Sequence, residues 1–342
     1  MTVAYIGTYT KKDSKGIYRV EISEEGKVEK IENVAEVENP TYLNFSHDNK
    51  NVYSVSKIND KGAVTSFKVE EDGRLTALSS IAQVGTPPCY VEVSPNNKYV
   101  LSANYHMGTI DSYEVGEDGR LTTLLSKDQH VGGVKLHPRQ DKPYAHYCGF
   151  SRDGRFMISC DLGTDELTTY TVNDGILERV ANFKLFSQHG IGPRHLVFSH
   201  DEQHVFVMTE LSNELVSLEY NSETGELSNP KYYMTLPVNF IEENKGSAIR
   251  ISNDDRFIYV TNRGQDAVVV FENKDGKLEK IQTISSYDKD PRDFNLSKDG
   301  KIAIAANENG SITVYTVNTE TGRLIASDKK VALPEAVCVQ FV

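Results

Sequence analysis

Apolar and polar residues alternate with a period of two along nearly the whole chain, in short runs closed by Gly, Asn, Asp or Ser. Such runs are the mark of half-buried antiparallel strands, and helical spacing is almost absent. Val64, Phe67 and Val69 fall in one run; Ile110, Tyr113 and Val115 fall in the equivalent run of the next unit. The runs recur in groups of four. Aligned on the serine that opens a tight turn, six segments match, with anchors at Ser46, Ser94, Ser151, Ser199, Ser252 and Ser297. A second marker, Gly-x-Leu or Gly-x-Val, falls late in each unit, at Gly26, Gly73, Gly119, Gly175, Gly225, Gly276 and Gly322.

One four-stranded sheet cannot bury both of its faces. Repeats of about 40–50 residues packed radially can, and the architecture they build is a β-propeller. The seven glycine markers predict seven blades of four antiparallel strands, in a single domain over residues 1–342. The opening MTVAYIGTYT resembles the second strand of a unit and lacks a first, whereas the closing PEAVCVQFV resembles a first strand. The C-terminal strand is therefore expected to complete the N-terminal blade, closing the ring and hiding its edges.

Composition narrows the function classes. With 37 Lys and Arg against 49 Asp and Glu, the net charge is −12, poorly matched to the phosphates of nucleic acid. No apolar run approaches the roughly 20 residues of a membrane helix, and the N-terminus lacks the basic region of a secretory signal. The four cysteines (Cys89, Cys148, Cys160 and Cys338) lie in strand-like runs without CxxC spacing, which reads as buried free thiols and a cytoplasmic setting. There is no HExxH, no calcium loop, no P-loop and no GxSxG elbow, so neither metal nor cofactor is expected. The absence of Trp disfavours a WD-type interaction propeller.

The candidate chemistry comes from positions that differ between units. The residue five before each anchor starts the first strand, which lines the channel of a propeller. That column reads Thr41, Cys89, His146, Arg194, Ser247 and Arg292, with Glu335 from the C-terminal strand. The residue eleven after each anchor ends the second strand; this column reads Lys57, Tyr105, Leu162, Glu210, Arg263 and Glu308, with Thr8 in the first unit. Because the two strands are antiparallel about a short turn, both columns meet at one mouth of the channel. Strand ends are often polar merely because they meet water. A His, several Arg, a Lys and several Glu converging on one funnel nonetheless suit an active site for an anionic small molecule.

The longest interval between anchors, 57 residues, precedes His146 and holds the loop Lys127–Pro143. Beside the mouth, it reads either as a lid, with Lys135, His137, Arg139 or Lys142 meeting a phosphate, or as a plain solvated loop. His47, His200 and His204 are expected on the far surface, and His195, alternating away from Arg194, between blades.

These residues resemble the seven-bladed β-propeller lactonase family, which includes 6-phosphogluconolactonases and carboxy-muconate lactonizing enzymes. The motifs are GTYT at Gly7–Thr10, ANY at Ala103–Tyr105, AHYCGFSRDGRF, CDLGTDEL, GPRHLVF, TELSNEL, TNRGQDAVVVF and PRDFNLSKDGK, and they span essentially the whole chain. The resemblance implies that His146 is the acid/base residue and that Arg194, Glu210 and Arg263 are its catalytic companions. Tyr90 departs from it, since relatives often carry His there. Arg292, Tyr105 and Lys57 are the expected substrate-binding groups. The expected reaction is hydrolysis of a small anionic sugar lactone, 6-phosphogluconolactone in the first place. The alternatives are a muconate-type cycloisomerase, a propeller that binds a ligand or protein without chemistry, and a metal-dependent sugar lactonase.

Overall fold

The computed structural model describes residues 1–342 and contains seven four-stranded antiparallel sheets arranged in a ring. The sole helical element is a 3-10 turn at Pro138–Gln140, and no helix is long and apolar enough to cross a membrane. Blade 1 is built from both ends of the chain: the inner strand Ala336–Phe341 pairs with Thr2–Thr8, which continues outward to Gly16–Ile22 and Val28–Glu36. Blades 2 to 7 run inside to outside in sequence order. Their inner strands are Leu43–Phe45, Tyr90–Val93, Ala145–Phe150, Pro193–Phe198, Lys245–Ile251 and Pro291–Leu296.

Both repeat markers have a structural cause. Each anchor serine ties the turn between first and second strands: its hydroxyl donates to the Asp or Asn two residues on, as Ser151 does to Asp153 (2.7 Å). It then accepts from the N–H five residues on, as from Phe156 (3.1 Å). The marker glycines sit between third and fourth strands with φ between +69° and +83°, where a side chain would be strained. Each also rests on the preceding blade. A Cβ at Gly276 would fall 2.4 Å from the His204 ring, so His204 is buried under the next blade's turn rather than placed on the surface.

The inner strands depart from simple alternation at one place. In blade 4 Ala145 pairs with Asp161 and Tyr147 with Cys160, leaving His146 unpaired. Blade 5 skips Arg194 and blade 7 skips Arg292 in the same way. These are β-bulges, which let two successive side chains face one side. The residue after each bulge therefore also points to the axis. Tyr147 and His195 follow two of these bulges and fill the channel together with Tyr42 and Tyr90, with ring centroids 4.2 Å (Tyr42–Tyr90), 4.5 Å (Tyr90–Tyr147) and 5.3 Å (Tyr90–His195) apart. His195 is thus an axial residue and does not pack between blades. The bulge at Arg194 reverses its expected direction.

Candidate active site

One mouth of the channel opens into a cavity of about 400 Å³, within the usual range for a small-molecule site. His146 reaches it from the bulge of blade 4. Burial, reinforced by the Arg194 charge, holds its imidazole well below the ordinary value, so the ring is neutral at pH 7. Its Nδ1 has no partner in the protein, and its ring meets that of Tyr105 edge-on at 5.7 Å.

Glu210, at the end of blade 5's second strand, is the sole carboxylate lining the cavity. Arg139 Nη1 lies 2.6 Å from Oε1, and Arg194 Nε and Arg263 Nη2 each lie 3.0 Å from Oε2. Burial opposes the charge, but Arg263, Arg194 and Arg139 overcome it and hold the carboxyl well below its usual range. A carboxylate so clamped positions arginines; it has little basicity left for proton transfer.

The arginines differ in what they have free. Arg194 is buried beneath the mouth and does not line the main cavity. Its guanidinium donates to Glu210 and to the Ser247 carbonyl (3.0 Å). Burial and the neighbouring Arg263 weaken its hold on the proton, yet a guanidinium remains charged at neutral pH. Arg263 uses Nη2 on Glu210 and the Gly246 carbonyl, while its Nε has no protein partner. Arg292 lies over the Tyr9 ring at 5.5 Å and within 3.4 Å of Glu308.

Tyr105 lines the cavity and accepts from Arg139 Nε (3.2 Å) and Nη2 (2.9 Å). Lys57 lines it too, tied to Glu38 (3.2 Å) and Asp60 (2.6 Å). Thr41 and Cys89 complete the contribution of the two columns. Thr8 and Glu335 do not join them. Thr8 turns to Ser14 and Gly16, and the Glu335 carboxylate accepts from the Lys11 and Lys12 amides. The loop they hold places Tyr9 and Lys11 on the cavity wall instead.

Of the long insertion, Lys127–Gln129 continues a strand and the remainder brings Arg139 to the cavity wall. Gln140 anchors it by donating to the Leu162 carbonyl (2.9 Å) and to Asp165 (2.6 Å). Arg139 alone of its basic residues lines the cavity; Lys142 Nζ is held at the His106 carbonyl (2.8 Å). Lys11, Lys245, Asn39 and Pro87 escaped the two-column reading. Asn39, Pro87 and Lys245 all stand seven residues before an anchor, so a third column would have found them. In all, six cations (Lys11, Lys57, Arg139, Lys245, Arg263, Arg292) line the cavity against one carboxylate, in a chain of net charge −12. No group of three or more His, Cys, Asp and Glu side chains is arranged to hold a metal.

Comparison with known proteins agrees with this architecture. The family model described as "Lactonase, 7-bladed beta-propeller" matches residues 3–341. A 6-phosphogluconolactonase of Bacillus subtilis (strain 168) is 37% identical over 345 residues, covering 99% of this chain and 98% of that protein. A solved structure from Lactobacillus plantarum superposes with a TM-score of 0.95 at 36% identity, over the full length of both chains. The periplasmic gluconolactonase PpgL of Pseudomonas aeruginosa does so with a TM-score of 0.89 at 26% identity, over 100% of this chain and 99% of that one.

Proposed function

The chain belongs to the seven-bladed β-propeller lactonase family, and on that premise we propose that it hydrolyses sugar-acid lactones, with 6-phosphoglucono-δ-lactone, opened to 6-phosphogluconate, as its substrate. The observation that carries this reading is His146, a neutral imidazole at a cavity whose lining holds six cations and one carboxylate. The other lining histidine, His106, is exposed at the rim.

In this scheme a water oxygen attacks the lactone carbonyl carbon while His146 takes one of the water's protons. Negative charge gathers on the carbonyl oxygen, where Arg263 and Arg292 are the nearby cations to stabilise it. The ring C–O bond then breaks, and His146 returns the proton to the leaving alkoxide. The carboxylic acid product ionises, and the imidazole is neutral again. Glu210 and Arg194 keep Arg263 and Arg139 in place. A δ-lactone is an activated ester, so modest basicity in His146 is enough.

The ring geometry supports a phosphorylated substrate. His146 belongs to blade 4, which in a seven-membered ring stands across from blades 7 and 1. Lys11 comes from the loop of blade 1 and Lys245 from blade 6. Lys57 is already neutralised by two carboxylates, whereas Lys11 and Lys245 carry no ion pair. A lactone carbonyl at His146 would direct a distal phosphate to this cationic side. The four free thiols fit a reducing, cytoplasmic setting.

The test is lactone hydrolysis on freshly generated 6-phosphogluconolactone, with unphosphorylated gluconolactone in parallel and a chelator-treated sample. We expect wild-type turnover of the phosphorylated lactone well above the buffer blank, unchanged by chelator, and a much higher KM for gluconolactone. Equal KM values would remove the phosphate assignment, and rates no faster than buffer on both would remove the lactonase reading.

A further inference from the structure

Directly beneath the mouth, on the channel axis, lies a second and much smaller cavity of about 10 Å³, about the least space that holds one water. Its wall includes His146, His195, Arg194, Arg292, Asp293 and Thr41. Two of these residues carry a buried nitrogen with no partner in the protein: Nδ1 of His146 and Nδ1 of His195. The two rings lie 5.1 Å apart between centroids, yet neither Nδ1 bonds to the other ring, an arrangement suited to a bridging molecule.

The tautomer of His195 follows from its other nitrogen. Arg194 Nη1 lies 3.4 Å from His195 Nε2, and a guanidinium can only donate. Nε2 must therefore accept. Burial and the Arg194 charge keep the ring neutral, so its single proton sits on Nδ1. A buried N–H without an acceptor is costly, and the small cavity is where one could be supplied.

We propose that this cavity is a water site through which His195 positions His146. The water accepts from Nδ1–H of His195 and from Nδ1–H of His146. It gives its own protons to acceptors in the wall, the Asp293 carboxylate first, since Asp293 is held there by Arg250 (3.1 Å) and the Val339 amide (2.9 Å). With its proton pinned on Nδ1, His146 presents the Nε2 lone pair to the mouth, which is the form a general base needs. His195 touches no substrate in this arrangement and acts through its neighbour. The inference rests on His146 as the base, but its first test needs no substrate.

That test is a two-bond 1H–15N correlation on the histidine-labelled wild-type protein at neutral pH. The expected pattern is a single His146 tautomer protonated on Nδ1; one protonated on Nε2 would overturn the proposal even if the protein is an active lactonase. The second arm compares His195→Phe with His195→Gln, whose amide can still donate to the water. The Phe variant should give a mixed His146 tautomer and a kcat lowered about 10–100-fold, as for a misaligned catalytic group, with KM little changed. The Gln variant should recover most of both. A Phe variant with one tautomer and wild-type kcat would refute the role of His195. If that variant does not fold, the wild-type spectrum and the Gln variant decide.

Discussion

The two ends of each inner hairpin obey opposite rules. At the far end the chain repeats itself: six serines make the same bond to the Asp or Asn two residues on, at 2.6–2.8 Å every time. At the mouth, some five residues away along the same strand, almost no two blades carry the same side chain. Repetition marks what the ring needs in order to stand. Variation marks where each blade is released from that duty, and the β-bulges at His146, Arg194 and Arg292 provide the release by taking those residues out of the ladder. A side chain outside the register can be chosen for chemistry without disturbing the pairs on either side.

The largest effect should come from the mouth. His146→Ala should lower kcat by roughly 10³-fold, the usual contribution of a general base, while a thermal melt shifts by no more than about 3 °C. A large loss of stability together with activity would mean that the bulge position bears structural load after all. The pH profile sharpens the point. Because the His146 pKa is depressed, its basic form persists as pH falls through the ordinary histidine range near 6.5. The acid limb of kcat/KM should therefore lie below that range.

Glu210 is the place where the two rules meet. Glu210→Gln removes the charge that three arginines share, and breaking one partner of a buried ion pair costs about 3–5 kcal/mol. Urea unfolding should register that loss, alongside loss of activity. An unchanged midpoint would show the arginines to be neutralised elsewhere.

Lower in the channel, burial pushes the Glu92 carboxyl up to about 7, with Tyr90 Oη 3.3 Å away. A carboxyl raised on folding stabilises the native state fully only below its unfolded value near 4.5, and that advantage is lost as pH rises through about 7. Glu92→Gln should therefore raise stability at pH 8 by on the order of 1–3 kcal/mol, and the gain should vanish at pH 4. A gain that is the same at both pH values would mean that packing, not ionisation, is responsible.

The smallest effect belongs to the repeated end. Ser252→Ala removes both turn bonds of the hydroxyl, to Asp254 and from the Phe257 amide, and should cost about 1–2 kcal/mol with kcat and KM unchanged. A change in kinetics would show that the two ends are coupled through the blade.

The same contrast explains what could be read from sequence. Where the repeat holds, aligning serines is equivalent to superposing blades, so the columns alone bring His146, Glu210, Arg263, Arg292, Tyr105 and Lys57 to one mouth. Arg194 was placed correctly along the chain, but its depth beneath the cavity depends on the bulge, which alternation does not reveal. His195 was misdirected for that reason. Thr8 and Glu335 were assigned across blade 1, whose inner hairpin is not one continuous segment, and the spacing failed there. Arg139 lies in an insertion outside the repeat, and contacts that no repeat column carries fix where it points: the bonds of Gln140 to Leu162 and Asp165 and its own to Glu210 and Tyr105.

Blade 1 has one more consequence, in the order of assembly. Six blades are contiguous and can form from local contacts, but the pair Thr8 with Ala336 joins residues more than 300 positions apart. Closing a loop of that length costs about 5 kcal/mol of chain entropy, which makes it a late event in folding. The segment that carries Tyr9 and Lys11 is held by Glu335, through the bonds of its carbonyl and carboxylate to the amides of Tyr9, Lys11 and Lys12. One wall of the cavity is therefore made by the same contacts that latch the circle. An unlatched intermediate would have its blades but only part of its pocket, so turnover during refolding should report the moment of latching and not the growth of β-structure.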